Sequence, residues 1–278
     1  MASVKNRDEA GVVEALNFLV EIAVKYARDG QESDTRRIIE YLKEIGKAAA
    51  EARLETVTIS TLLLISPLAK EACRQEMEYV MISIALALGE IGKVAAGQRM
   101  EIPAKVAASC LGEMVNTAAF RQKKKETIAV IFALGEIGKS VTQQRLGYAA
   151  ESTVALLGEA GKAAASQKFE EAALNAELIL QELGSKAIEK DLKEAADTTA
   201  RFLWDIGKTA DKQGLDRALL QAAYSLETIK FDADDRYLMS ASIVAEVALQ
   251  HFENLDIEGL EAKLNLTPKG KKKSQERY

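Results

Sequence analysis

The sequence has 278 residues, a formal net charge of −5 and 48% hydrophobic residues, which is enough for one or two globular domains. Aromatic residues make up only 5%, so base stacking on an aromatic surface is not expected. His251 is the only histidine. This excludes a histidine-based metal cluster and leaves no second imidazole for a proton relay.

The amino-terminal segment, MASVKNRDEAG, is polar and lacks the apolar core of a secretory signal. Cys73 and Cys110 are the only cysteines, and their spacing does not match a metal site. Both lie in helix-like patterns, so we expect free, buried thiols. These features together predict a cytoplasmic location.

One motif recurs along the whole chain. LGEIGK occurs at residues 88–93 and 134–139, and the variants LKEIGK, LGEAGK and LWDIGK begin at Leu42, Leu157 and Leu203. We call the leading residue of each copy position 0. Eleven leading residues follow one another at intervals of 23: Leu19, Leu42, Ile65, Leu88, Leu111, Leu134, Leu157, Leu180, Leu203, Leu226 and Leu249. An uninterrupted period of this length predicts a tandem-repeat protein of about eleven units.

Each unit is predicted to form one helix of roughly 17–19 residues and a short turn. Positions 0, +3, +4 and +7 are mostly apolar or small, and they share one face of a helix with 3.6 residues per turn. Glycines on or beside that face predict a close approach of neighbouring helices. They are Gly89, Gly112, Gly135 and Gly158 at position +1, and Gly46, Gly92, Gly138, Gly161, Gly184 and Gly207 at position +4.

Position +2 is acidic in most units and position +5 is often lysine, as in Glu136 and Lys139. Position +2 lies on the side of the helix opposite the leading leucine and is expected to face water. A row of carboxylates also suits acid chemistry or metal binding. The neighbouring lysines favour a solvated outer face with ion pairs at i, i+3 spacing.

Gly138, Lys139 and Ser140 have the same order as the end of a phosphate-binding P-loop. The first glycine of that motif, which turns backbone N–H groups toward phosphate, is replaced by Ala133. The preceding residues have a helical rather than a strand pattern. Nucleotide binding is therefore not predicted.

Short turns between helices imply that consecutive helices run antiparallel, so two units form a 46-residue hairpin. Arg53, Arg99 and Arg145 occupy position +11 of alternate units and are each 46 residues apart. They are expected at turns along one edge of the molecule. They suit a row of binding residues, although we favour capping of helix carboxyl ends, where a cation meets exposed carbonyls.

The unit around Ile65 is the most apolar, with VTISTLLLIS at residues 57–66. This run is shorter than the roughly 20 residues that span a bilayer, so it predicts a buried helix or one side of a dimer contact. Pro67 follows it and predicts a kink or an early end of that helix. Trp204 is expected to pack beside Leu203, and His251 to face solvent.

The segment ALGEIGK, at residues 87–93 and 133–139, is similar to the ALGxIGD element of short HEAT repeats related to phycobilisome lyases. Stacked helical hairpins of this size resemble the HEAT and armadillo repeat class, and the resemblance covers about residues 12–255. The sequence departs from the HEAT pattern in two ways. Lysine replaces the turn aspartate, and each copy of the motif corresponds to one helix instead of a two-helix repeat. The resemblance implies an all-α fold, a right-handed α-α superhelix (solenoid) of antiparallel helices with an extended concave surface for a partner. It does not imply lyase activity.

Two segments depart from the charge balance of the repeats, the basic turn RQKKK at 121–125 and the tail at 267–278. The tail has five basic residues and one acidic residue, which leaves a net charge of −9 on residues 1–266. We expect residues 1–266 to form a single repeat domain. The tail is predicted to be disordered, and its basic residues suit either solubility or attraction to anions.

The sequence contains no recognisable Ser-His-Asp or Cys-His set, so neither an enzyme nor a cofactor or metal site is predicted. The favoured function is an interaction scaffold that binds a protein or peptide on the solenoid surface. The alternative is a nucleic-acid-associated protein that uses the basic turn and the tail, against which the acidic body argues. A small-molecule groove and an oligomer are further possibilities. The candidate contact residues are Arg53, Arg99, Arg145, Lys123, Lys124 and Lys125.

Overall fold

The computed structural model describes residues 2–120, 123–252 and 257–264, and every regular element in these ranges is a helix. The basic tail at 267–278 lies outside the described residues. The helices are α1 (Ala2–Arg28), α2 (Glu32–Glu51), α3 (Glu55–Arg74), α4 (Glu78–Gly97), α5 (Glu101–Phe120), α6 (Lys124–Gln143), α7 (Gly147–Ser166), α8 (Glu170–Glu189), α9 (Lys193–Gln213), α10 (Asp216–Asp235), α11 (Met239–Phe252) and α12 (Ile257–Lys263). The predicted all-α array of about eleven repeat helices is therefore confirmed.

The repeat has a constant register. From α2 to α11, each helix begins 23 residues after the one before it, and most of these helices have 20 residues. The helices are thus slightly longer than the predicted 17–19 residues, because only three residues are needed for each turn. Many of them begin with an acidic residue, such as Glu55 or Glu170, whose charge is favourable at the positive end of the helix dipole.

Nine described turns, each of two or three residues, share one backbone conformation. After α2, Arg53 at position +11 has a φ of +56°, its N–H donates to Ala50, and the N–H of Leu54 donates to Ala49. These bonds form a Schellman motif, which satisfies the last carbonyls of the helix. The same left-handed conformation recurs at position +11 in seven non-glycine residues and two glycines: Arg53, Glu76, Arg99, Arg145, Lys168, Asp191, Tyr237, Gly30 and Gly214.

The helices form two layers. Each helix from α1 to α9 contacts the next helix and the one after that. Because three-residue turns reverse the chain direction, consecutive helices run antiparallel. We call α2, α4, α6, α8 and α10 the even layer, and α1, α3, α5, α7, α9 and α11 the odd layer. The short helix α12 packs against α10.

The recurring glycines mark the closest contacts within each layer. A Cβ atom on Gly138 would lie 2.6 Å from Cδ1 of Leu183, the +3 residue of the next helix in the even layer. The same relationship joins Gly46 to Ile91 at 2.6 Å. The predicted close packing of helices at these glycines is confirmed, and the structure shows that it joins helices 46 residues apart.

Pro67 does not end its helix, so the prediction of an early end is wrong. α3 continues to Arg74, and Pro67 lies on its exposed side. Proline removes one backbone hydrogen bond and its ring conflicts with the preceding turn. At this position the affected carbonyl belongs to Leu63, a residue that is itself 54% exposed.

Two helices, Glu55–Arg74 and Glu78–Gly97, are long and apolar enough to cross a bilayer by length and composition. The apolar run at 57–66 makes up only half of α3, which has 20 residues. In the array, 56% and 61% of the two apolar windows are buried against other helices. Such burial is typical of core helices, so these segments are weak evidence for a membrane span.

Candidate interaction surfaces

The three predicted arginines lie on one edge of the array, at the turns after α2, α4 and α6. All three are exposed. Nε of Arg53 donates to Oε1 of Gln98 at 3.4 Å, and Nε of Arg99 donates to Oε1 of Gln144 at 3.2 Å. The backbone N–H groups of the turns, rather than these cations, cap the helix carbonyls. The side chains instead link successive turns of this edge.

The basic residues at 123–125 lie at the start of α6 and point to different acidic partners. Nζ of Lys124 is 2.6 Å from a carboxylate oxygen of Glu171 in α8, and Nζ of Lys125 is 2.9 Å from Glu78 in α4. Hydrogen bonding to Glu78 raises the pKa of Lys125. Nζ of Lys123 is 3.9 Å from Glu126. Each of the three charges therefore has an intramolecular counter-ion.

The outer charges form a ladder between helices rather than only within them. Nζ of Lys93 is 2.6 Å from Glu136, which lies 43 residues later on the next helix of the even layer. Lys139 pairs with Glu182 at 2.8 Å in the same way. Hydrogen bonding to Lys139 lowers the pKa of Glu182. The predicted solvated outer face is confirmed, and the predicted i, i+3 pairs, such as Lys208–Asp205 at 2.9 Å, are only part of it.

The segment that resembles the end of a P-loop lies in the middle of α6. Gly138 packs against Leu183, and the ammonium group of Lys139 pairs with Glu182. A helix in this register has its N–H groups bonded to the preceding turn and cannot turn them toward phosphate. Among the described residues, no group of three or more His, Cys, Asp or Glu side chains suits a metal ion.

Trp204 and His251 lie together near the carboxyl-terminal end of the odd layer. Their ring centroids are 6.4 Å apart, and Nζ of Lys208 lies 4.2 Å from the centroid of the Trp204 ring. His251 is exposed, and Trp204 packs against the core of the array, as predicted.

An open cleft of about 500 Å³ lies on the odd layer, centred on α5. Its apolar walls come from three helices: Leu63 of α3, Ile102 and Val106 of α5, and Tyr148 of α7. The exposed fractions are 54% for Leu63, 59% for Ile102 and 77% for Tyr148. We call this depression the α5 cleft.

Small side chains of α5 leave room for the cleft beside the large side chain of α3. Ser109 occupies position −2 of α5 and lies on the floor of the cleft. The same position is Leu63 in α3 and leucine or phenylalanine in the middle helices of the even layer. The helices on either side of α5 in the odd layer have Leu63 and Ala155 at this position, so the small side chains of α5 and α7 leave space beside Leu63.

The rim of the α5 cleft carries both signs of charge, from Glu101, Lys105 and Glu113. Oε1 of Glu101 accepts the N–H of Ala149 at 3.1 Å, which holds this carboxylate at the first turn of α7. The thiol of Cys110 also borders the cleft, but burial raises its pKa to about 11. At neutral pH it is therefore a weak nucleophile. The cleft suits recognition of an apolar group with polar surroundings.

The even layer has a second exposed apolar feature, a row of side chains at position −2. Leu86, Phe132 and Leu178 lie on α4, α6 and α8 and are each about half exposed. Tyr224 occupies position −2 of α10, the next helix of the even layer. Its hydroxyl donates to Glu261, so α12 contacts this end of the row.

The residues of the α5 cleft were not among those predicted from the sequence. Leu63, Ile102 and Tyr148 are far apart in sequence, and their proximity follows only from the stacking of α3, α5 and α7. The sequence did contain one signal of exposed apolar residues. Position −9 faces outward near the start of each helix, and it has a large apolar side chain in three units: Tyr79, Ile102 and Tyr148.

No protein-family model matches the chain, and no curated protein matches it. Among solved structures it is similar to one described as a circular tandem repeat protein with novel repeat topology and enhanced subunit contact surfaces. That match has a TM-score of 0.50 and 13% identity, and it covers 92% of this chain and 74% of the other. Another, described as the computational design of self-assembling cyclic protein homooligomers, has a TM-score of 0.26 and 17% identity and covers 96% of this chain and all of the other.

The fold thus defines the chain as an α-helical tandem-repeat protein. At this level of identity, the likeness to the circular repeat protein concerns the fold alone.

Proposed function

We propose that the protein is a non-catalytic interaction scaffold that holds an apolar side chain of a protein or peptide partner in the α5 cleft. The observation that carries the proposal is the cleft itself, with Leu63, Ile102 and Tyr148 exposed around a small-residue floor. Exposed apolar side chains grouped in a depression are typical of binding sites.

The size of the cleft supports an anchor residue as its occupant. A volume of about 500 Å³ lies within the usual range for sites that hold small molecules or a few side chains, roughly 300–1,000 Å³. Interfaces often depend on one or two such anchors, which are surrounded by polar contacts that exclude water. Glu101, Lys105 and Glu113 provide polar contacts of both signs around the rim.

Several features support a scaffold over an enzyme. Burial raises the pKa of the Glu177 carboxyl well above its usual range, but this side chain of α8 is fully buried and has no contact with solvent. His251 lies on α11, far along the array from the cleft on α5. The α5 cleft contains carboxylates and a lysine, but its thiol is held in the neutral form.

We also infer that the array is of the HEAT or armadillo type and works in the cytoplasm. The ALGEIGK motif at 87–93 and 133–139 and the two helical layers support the first inference. The free, buried thiols of Cys73 and Cys110 support the second. Nucleic-acid binding has less support, because Lys124 and Lys125 already pair with glutamates.

The experiment compares two matched variants, Leu63→Glu in the cleft and Leu178→Glu in the even-layer row. Both leucines occupy position −2, and their exposed fractions are 54% and 50%. Tagged wild-type protein and both variants are used to capture partners from lysate of the native host, with and without nuclease, and captured proteins are quantified by mass spectrometry.

The proposal predicts at least one protein that is retained by the wild type and by Leu178→Glu, resists nuclease and is lost with Leu63→Glu. If a partner were lost only with Leu178→Glu, the binding site would lie on the even layer and not in the α5 cleft. Binding lost on nuclease treatment would favour the nucleic-acid alternative.

A further inference from the structure

Two positions of each unit face the preceding helix of the same layer. The contact of Gly46 with Ile91 shows that position +3 points back toward position +4 of the helix before it. The contact of Gly89 with Ala133 shows that position −1 points back toward position +1. Within the array these backward-facing side chains are enclosed by the preceding helix.

The first helix of each layer has backward-facing side chains with no described helix in front of them. At position −1, Phe18 of α1 is 64% exposed and Tyr41 of α2 is 55% exposed. At position +3, Ile22 and Ile45 are partly exposed, whereas the corresponding residues of later units are buried. The buried counterparts at +3 are Leu68, Ile91, Met114, Ile137, Ala160, Leu183, Ile206, Ile229 and Phe252.

We call Phe18, Ile22, Tyr41 and Ile45 the amino-terminal face. We propose that this face binds the amino-terminal face of a second copy of the same chain, so that the protein forms a two-fold symmetric dimer. This inference is independent of the proposed function, because the α5 cleft lies elsewhere, on α3, α5 and α7.

The opposite end of the array does not fit the amino-terminal face. At positions +1 and +4 of α10, where earlier helices have glycine, the chain has Glu227 and Lys230. Tyr41 and Ile45 of a second copy would therefore meet charged side chains instead of the small residues that receive such side chains inside the array. Helix α12 also packs against α10. These features disfavour head-to-tail stacking and leave a closed, symmetric contact.

The charges beside the apolar residues are self-complementary. Glu14 lies four residues before Phe18, and Lys25 lies three residues after Ile22, so all four residues share one stripe of α1. Glu14 and Lys25 are both exposed. When two copies of α1 meet in antiparallel orientation, Phe18 of each lies opposite Ile22 of the other, and each Glu14 lies opposite a Lys25. An isologous contact of this kind forms each ion pair twice.

The area of the face is sufficient for a dimer. A helix of 20 residues is about 30 Å long, and two adjacent helices are about 20 Å wide. The end of the array therefore offers about 600 Å² per copy, or about 1,200 Å² in total, which is at the lower limit of a standard interface. Two aromatic side chains in its centre are typical of residues that dominate binding energy.

The first measurement is sedimentation velocity of the full chain from about 1 to 100 μM. The inference predicts a concentration-dependent dimer for the wild type and a monomer for Phe18→Glu. The control is Val247→Glu on α11, which changes an exposed apolar residue at the other end of the array and should leave the dimer intact. Circular dichroism confirms that each variant is folded.

The second measurement tests the orientation with charge reversals. Glu14→Lys and Lys25→Glu each replace two ion pairs by two like-charge pairs, which should weaken the dimer roughly tenfold. Mixing the two variants should restore a dimer that contains one chain of each kind.

A wild-type monomer at about 100 μM, or a dimer that survives Phe18→Glu, would overturn the inference. Failure of the mixed variants to associate would contradict the antiparallel arrangement of α1. Capture of partners at the α5 cleft is a separate readout, so either proposal can fail without the other.

Discussion

Gly89 of α4 faces Ala133 of α6 so closely that a Cβ atom on Gly89 would lie 2.8 Å from Cβ and 3.1 Å from Cα of Ala133. These two residues are 44 positions apart in sequence, at +1 and −1 of two units in the even layer. The absence of a side chain at Gly89 therefore sets how near the two helices can lie. It also explains why glycine is retained within a helix, where it is less favourable than alanine.

Replacing Gly89 by alanine should destabilise the protein by about 1–2 kcal/mol. The added methyl group meets the backbone of α6, which cannot rotate away, and overpacking of this kind costs about 1–3 kcal/mol. The better helix propensity of alanine offsets about 0.5–1 kcal/mol of this cost. The matched control is Gly97→Ala at the end of the same helix, where nothing lies within 4 Å. Urea unfolding should show the control to be as stable as the wild type or slightly more stable.

Gly138→Leu should destabilise the array by more than about 3 kcal/mol, because a large side chain would be forced between α6 and α8. Gly138→Ala should cost less, since the nearest atom, Cδ1 of Leu183, belongs to a side chain that can adjust. Thermal unfolding measures both effects. If Gly138→Leu unfolded at the same temperature as the wild type, the close-packing explanation of the glycines would be wrong.

Arg99→Gly should stabilise the protein by about 0.5–1 kcal/mol. Arg99 has a φ of +60°, and this left-handed conformation costs a non-glycine residue about 1–2 kcal/mol, partly offset by the entropy of glycine in the unfolded chain. Arg99→Ala separates the two roles, because it keeps the strained backbone and removes the bond to Gln144. It should change stability little. The reverse change, Gly214→Ala, should be destabilising, and a stabilising effect there would contradict the account of the turns.

Glu177 predicts a pH-dependent contribution to stability. It is fully buried on α8, and neither carboxylate oxygen has a hydrogen-bond partner. Burial, and to a smaller extent the charge of Glu170, raise the pKa of Glu177 well above its usual range. The folded protein therefore keeps the proton at pH values where the unfolded chain releases it. The stability associated with the protonated acid is complete below about pH 4 and is lost as the pH rises toward the folded-state pKa.

The variant Glu177→Gln removes this titration while keeping the shape of the side chain. Its stability relative to the wild type should increase between pH 5 and pH 8 by about 1 kcal/mol or more. Urea unfolding at the two pH values measures the difference. The buried amide of the glutamine does not titrate, so its effect on the free energy of unfolding is the same at both pH values and cancels in the difference. An unchanged difference between pH 5 and pH 8 would show that Glu177 is not protonated in the folded protein.

The sequence predicted the features that depend on periodicity within one helix. The spacing of 23 residues located the helices α1 to α11, and the outward position of Glu136 and the inward position of Gly138 followed from helix geometry. Features that depend on which helices are neighbours were not predictable in this way. Lys139 pairs with Glu182 of α8, because helices 46 residues apart lie side by side.

The conformation of the turns was predictable in principle. Gly30 and Gly214 occupy the same position +11 as Arg53. Glycine at an equivalent turn position signals a positive φ, and this signal favours a backbone role over a cationic cap. The α5 cleft was not predictable, because it depends on the small side chain of Ser109 lying between residues of three separate helices.

The most direct test of the central claim, that the α5 cleft binds a partner, is site-specific photo-crosslinking in cells of the native host. A photoreactive phenylalanine analogue replaces Ile102 in the cleft or, as a control, Phe231 on α10, which is 74% exposed. The account predicts one or a few discrete protein adducts at position 102 and none of these at position 231. No adduct at position 102, or the same adducts at both positions, would contradict it.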